Sequence, residues 1–224
     1  MSRPGFTVPP GRAGRLWLVR RLSVARRGAD LLDRKHRILL AETGRLAGAA
    51  ARTAAEWEQR CADAERWLLR AAMLGGERAV RLAADGSAAD VTVSYGVTMG
   101  VRHPDGATCR VPASATWDGP ALAAAREAHG RALEAAVRHA AAAAALRAVE
   151  AETLATRYRL RAVRDRWIPR LEQALAEVTL ALEEQELADS ARLRLAARSG
   201  AETGQRPATQ GITALAAGDR ARWP

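Results

Sequence analysis

His36, His103, His129, His139, Cys61, Cys109 and the acidic run Glu183, Glu184, Glu186 are the side chains of this 224-residue chain best equipped for metal binding or proton transfer. Their spacing does not gather them. No two histidines stand four apart, the separation that sets both rings on one helical face for zinc, and neither cysteine has a second Cys or His at ligand spacing. Cys61 and Cys109 are therefore expected as isolated, reduced thiols. Glu183, Glu184 and Glu186 imitate an acid and base pair, but an open helix face offers no enclosure to shift a carboxyl pKa. The only lysine, Lys35, follows Arg34 in a helical stretch rather than in a Gly-rich phosphate loop, and no Gly-x-Ser-x-Gly elbow occurs. The residues point to a protein that is not an enzyme, with no catalytic residue, metal or cofactor.

The elements that would position these side chains are helices. Aromatic residues make up only 4% of the chain, Phe6 is the sole phenylalanine, and the apolar 48% is largely Ala and Leu, which build thin seams rather than a thick core. After a leader punctuated by Pro4-Gly5 and Pro9-Pro10-Gly11, nothing interrupts a helix until Gly75-Gly76. Steps of three and four pick out Leu18, Leu22, Ala25, Ala29, Leu32, His36, Leu39, Thr43, Leu46, Ala50, Thr53 and Trp57, a heptad seam. Asp85-Gly86-Ser87 ends this arm.

The period then changes. Val91 to Tyr95 alternates, Val97 to Val101 continues, and His103-Pro104-Asp105-Gly106 reads as the turn of a β-hairpin over residues 91–112. Asp118-Gly119-Pro120 signals the start of a second helix. Its seam runs Leu146, Val149, Thr153, Thr156, Leu160, Val163, Trp167, takes one extra step of four to Leu171, and resumes at Leu175, Val178 and Leu182. The shift falls at Pro169, where a kink or stutter is expected. Past Ser199 apolar periodicity stops, which predicts a disordered tail.

The expected fold is mainly α, a long antiparallel two-helix coiled coil with a short β-hairpin insert. Its segments are a leader over 1–11, arms over 12–84 and 118–198, a turn and hairpin over 85–117, and a tail over 199–224. Arms of this length are too thinly apolar to stand alone, and the short insert makes pairing within the chain the cheapest closure in entropy. Antiparallel pairing would bring Arg20, Arg21, Arg26 and Arg27 toward Glu183, Glu184, Glu186 and Asp189.

The net charge of +10 admits an acidic partner, nucleic acid or a membrane surface, although reliance on Arg over Lys is also what a GC-rich coding bias produces. No stretch approaches the roughly 20 apolar residues that span a bilayer, so a cytoplasmic, at most peripheral, protein is expected. With no aromatic and basic sheet face, helix-turn-helix or zinc finger, nucleic-acid binding would rest on phosphate attraction alone. It stays open as an alternative, beside a generic helical scaffold.

Several strings together resemble the D subunit of the V-type and archaeal-type rotary ATPases. They are Pro9-Pro10-x-Arg12, then Arg20-Arg21-Leu22-x-x-Ala25-Arg26-Arg27-Gly28-x-x-Leu31-Leu32-x-x-Lys35 in the first arm, and Met99-Gly100-Val101 in the hairpin. Ile168-Pro169-Arg170-Leu171-Glu172, Leu182-Glu183-Glu184-Gln185-Glu186 and Arg192-Leu193 follow in the second arm. The chain departs from the family pattern at Pro10-Gly11-Arg12 and at Arg161-Ala162-Val163-Arg164.

The resemblance implies a central rotor shaft, one copy per complex, coupling ATP synthesis or hydrolysis in a hexamer to proton or sodium transport. It further implies contacts to the catalytic and regulatory hexamer subunits through Arg12, Arg20, Arg21, Arg26, Arg27, Lys35, Arg170, Glu183 and Glu184. Tyr95, Met99, Gly100 and Val101, placed by the resemblance at the far end of the arms, would meet the small F subunit of the stalk and the membrane-proximal rotor-coupling subunit.

Overall fold

The computed structural model describes residues 7–83, 88–112 and 119–204. Helix α1 spans Gly11–Ala83, strands β1 and β2 span Asp90–Thr98 and Val101–Arg110, and helix α2 spans Pro120–Arg161. A π-helical stretch, Ala162–Trp167, leads directly into α3, Ile168–Gly204. The expected mainly helical fold with a two-stranded insert is what the chain forms. The described residues divide into two compact units, one drawn from residues 7–21 and 170–204, the other from the described residues between Leu22 and Pro169.

In the larger unit α1 and α2 run antiparallel: from the Lys35 and Thr43 end of α1 to the Thr53 and Glu56 end, the partners on α2 pass from residues 152–153 back to residues 138–139. Lys35 meets Glu152, Thr43 meets Thr153, Thr53 meets His139 and Glu56 meets Arg138. Most of the predicted stripe is buried: Leu22, Ala29, Leu39, Leu46 and Ala50 face Val149, Thr153, Thr156 and Leu160 along this seam, but Ala145 is buried where Leu146 was expected, Leu146 is half-buried and Trp57 is exposed. Leu39, Leu46, Ala145 and Val149 form one apolar cluster, and Ala64, Ala128 and Ala132 form another with Cys61 and Trp67 against it. Between them the seam thins to Ala and Thr, whose small side chains let backbones approach closely.

Helix α1 does not end at Gly75-Gly76. Gly76 leaves helical geometry (φ 74°, ψ 160°), a conformation without steric penalty only for glycine, and the helix resumes to Ala83. Asp85-Gly86-Ser87 and Asp118 lie outside the described residues. Pro120 opens α2 as predicted, its missing N–H falling where a helix has no acceptor to offer, and the Gly119 carbonyl accepts from Leu122 and Ala123 at 3.0 Å each.

The expected irregularity near Pro169 takes the form of the π stretch. Ile168 N–H bonds back five residues to Val163 O. Proline clashes with the carbonyl four residues before it, and one wider turn moves that carbonyl aside, which accounts for the extra step in the seam. The widening turns Val163 and Trp167 only half inward, whereas Leu171 is fully buried. The helix persists to Gly204, so residues 199–204 are helical rather than part of a disordered tail, and 205–224 lie outside the described residues.

The smaller unit pairs the start of α1 with α3, burying Leu18, Leu171 and Ala174. Gly14 is buried under the leader, where a β-carbon would strike the Pro9 carbonyl oxygen, so this position requires glycine.

The hairpin departs from expectation twice. Its turn is Met99-Gly100, both at positive φ (51° and 84°), as a two-residue hairpin loop requires. His103-Pro104-Asp105-Gly106 instead lies inside β2: Ser94 pairs with Gly106 and Tyr95 with Pro104, leaving Asp105 as a one-residue bulge. Second, the hairpin does not sit at the far end of the arms. It folds back along the helix pair, with Val101 packed on the Leu39, Leu46, Ala145, Val149 cluster some forty residues from where α1 ends.

Candidate interaction surfaces

In the smaller unit, Arg12 donates to Glu186 at 2.8 Å, both side chains largely exposed. Beside this pair an open groove of about 480 Å³ is lined by Arg15, Leu16 and Val19 of α1 and Thr179, Leu182 and Glu183 of α3. The acidic block therefore meets Arg12 and shares this groove with Arg15, five to fifteen residues nearer the helix start than the expected Arg20 to Arg27. Arg20, Arg170 and Glu184 are exposed, and the Arg21 guanidinium lies over the Trp17 ring at 4.9 Å. Such an open groove, lined by both apolar and charged side chains, suits reversible contact more than enclosure of a small molecule.

In the larger unit Arg26 and Arg27 are exposed. Lys35 is different: it turns along the helix pair and donates to Glu152 at 2.7 Å, with 31% and 24% of the two side chains exposed. Glu152 also accepts from Thr156 and Arg159, each at 3.4 Å. The Lys35 ammonium holds the Glu152 carboxyl below its usual pKa, with Arg159 and Thr156 adding to the effect. A similar hold acts on Glu42, which takes a two-point bond from Arg45 at 2.6 and 2.9 Å.

On the hairpin Tyr95 and Met99 are exposed, with Arg102 stacked 4.4 Å from the Tyr95 ring, while Val101 points into the helix cluster. The four expected stalk-partner residues thus divide. Tyr95, Met99 and Gly100 are accessible, and Val101 anchors the hairpin.

The three histidines with resolved partners act structurally. His103 is buried; its Nδ1–H donates to Pro104 O at 2.9 Å, leaving Nε2 to accept from the Thr98 hydroxyl at 3.0 Å. His129 donates to Ala125 O, and His139 stacks on Trp57 at 5.5 Å while its Nδ1 meets the Thr53 hydroxyl at 3.3 Å. Among the described residues no three His, Cys, Asp or Glu side chains are placed to hold a metal, and Cys61 and Cys109 are free. No helix among them is long and apolar enough to cross a membrane.

Glu152, Glu42 with Arg45, and the Trp57 and His139 stack escaped the sequence reading. Glu152 carried a findable signal, since its i+4 and i+7 neighbours Thr156 and Arg159 share its helix face.

No curated protein matched the chain. Residues 16–198 match the family model of the ATP synthase D subunit, a span that takes in both helical arms and the hairpin. The chain belongs to the ATP synthase D-subunit family, the stalk subunits of rotary ATPases.

Proposed function

We propose that this chain is the central rotor shaft of a V-type or archaeal-type rotary ATPase, transmitting torque between a catalytic hexamer and a proton- or sodium-translocating membrane rotor. The observation that carries the reading is the family match over 16–198, which covers the helical pairings of both units. Torque transmission asks for a slender element that resists bending, and two helices joined along a seam resist it better than one. The chain itself performs no ATP chemistry. It acts from the cytoplasmic side, peripheral to the membrane through its partners.

Arg12, Arg20, Arg21, Arg26, Arg27, Arg170, Glu183 and Glu184 are the residues on which the hexamer contacts are placed. Shallow charged contacts favour orientation and fast exchange over tight locking, which a shaft turning in a sleeve needs. Lys35, engaged with Glu152, supports this surface from within the helix pair. Tyr95, Met99 and Gly100 are offered to the small F subunit of the stalk and to the membrane-proximal rotor-coupling subunit.

Co-purification with catalytic and regulatory hexamer subunits, followed by ATPase assay with and without this chain, tests the reading. Association with the hexamer and a changed turnover rate are expected. Binding to DNA or RNA that falls steeply with salt, without affinity for the hexamer, would replace it with a nucleic-acid role.

A further inference from the structure

The hairpin rests on the helix pair in an unusual way. Near its tip, Gly96, Thr98, Val101 and His103 turn toward the helices, and only Val101 joins their apolar cluster. The apolar residues of β1 go the other way: Val91, Val93, Tyr95 and Val97 alternate along one exposed face, Val97 with 70% of its surface in solvent. An antiparallel ribbon on a core normally does the reverse.

Nor do polar bonds hold it down. His103, only 3% exposed, spends both ring nitrogens on Thr98 and Pro104 of the hairpin itself, and Ser94 donates to Gly106 O across the ladder. Among the described residues no hydrogen bond or ion pair joins the hairpin to α1 or α2. Asp105 and Arg45 attract each other without closing a pair. Beside the bulge an open groove of about 280 Å³ separates Pro104 to Ala107 from Ala49, Ala141 and Ala142, with Arg45, Thr53 and Arg138 also lining it. Solvent reaches this part of the contact, so the strap is not sealed onto the helices there.

We propose that the hairpin is a releasable strap. It lifts from α1 and α2 as one unit, withdrawing the Val101 peg and the His103 ring, while the hydrogen bonds of its tip and the helix pair stay intact. Release leaves no donor or acceptor unpaired, because every hydrogen bond the strap makes is its own. This follows from the hairpin's packing alone and stands whether or not the chain serves as a shaft.

Hydrogen exchange read by mass spectrometry on the full chain tests it, with the two native thiols as a second reporter. Lifting itself breaks no ladder bond, but a two-stranded ribbon away from the helices is marginal in water, so its ladder opens in a second step and its amides exchange. Amides of β1 and β2 should exchange faster than those of α1 and α2 beside them, and Cys109 should react with a thiol reagent before Cys61. Val101→Ala should speed hairpin exchange about tenfold with helix amides unmoved. Val101→Ile, which keeps the peg, should hold wild-type rates. Equal protection of hairpin and helices in the wild-type chain, or a Val101→Ala effect that moves both together, would overturn the proposal.

Discussion

Replacing Glu152 by Gln keeps the shape and one acceptor but removes the charge on which Lys35, Thr156 and Arg159 converge. A charge-assisted bond that is shielded from solvent contributes about 1.5–3 kcal/mol, and a fully exposed pair about 0.2–1 kcal/mol. With side chains 31% and 24% exposed the Lys35–Glu152 pair falls between these limits, and Gln retains part of the hydrogen bond. The expected loss at neutral pH is therefore about 1 kcal/mol, or roughly 2–4 °C in melting midpoint for a chain of this size.

The sign of the pH dependence follows from the lowered pKa of Glu152. A carboxyl whose folded pKa is depressed contributes stability above its unfolded value, about 4.3, and that contribution disappears as pH falls through the folded value. Circular dichroism melts of the wild-type and Glu152→Gln chains should thus differ by a constant amount from neutral pH down to about pH 5, then converge in stronger acid. A cycle with Lys35→Met should return most of the difference as coupling between the two sites. Equal midpoints at neutral pH, or a gap that persists in strong acid, would refute the assignment of this pair as a stabilising contact.

Three further outcomes are expected. Leu39→Ala, which empties a fully buried site in the cluster that also seats Val101, should cost about 2–5 kcal/mol in urea denaturation. Gly14→Ala should expel the leader from the first turn of α1, seen as faster proteolysis before residue 11, because the added methyl group meets the Pro9 carbonyl. Met99→Asn should slow hairpin exchange several-fold, since Asn tolerates the positive φ of this turn better than Met does.

What was legible in the sequence was whatever a local period could carry. Leu18, Leu22, Ala29, Leu39, Leu46 and Ala50 all lie on the predicted seam and are all buried, because burial on a helix repeats at a fixed step. The proline at 169 announced its irregularity for the same reason: its effect falls on its own preceding turn. The hairpin turn was misplaced because His103-Pro104-Asp105-Gly106 has turn composition, yet Pro104 and the bulged Asp105 are accommodated at a register shift in a strand. The true turn was masked by Met99, an uncommon residue at positive φ. Where the hairpin docks was not legible at all, since the packing of Val101 against the Leu39, Leu46, Ala145, Val149 cluster is set by tertiary structure and leaves no period in β2. Lys35 had the sequence character of an outward cation, and only the antiparallel register of α1 and α2 brings Glu152 opposite it.

That register raises the question of what fixes it. Over Ala50, Ala64 and Ala71 on α1 and Ala125 to Ala135 on α2, the buried side chains are all alanine. A seam of identical small residues packs almost as well after a slide of one heptad, so it confers closeness without specifying alignment. Alignment must come from groups that have one partner each. Lys35 with Glu152, Thr43 with Thr153, Thr53 and Trp57 with His139, and Arg138 with Glu56 are spaced along the pair on both sides of the Leu39 cluster, and each is lost by a slide. Individually these contacts contribute little stability, yet together they penalise every register but one. A slender seam and a fixed register are thus supplied by different residues. In a shaft whose proposed work is to carry torque, the alanines keep the cross-section small and the polar pins keep the two helices from sliding past each other.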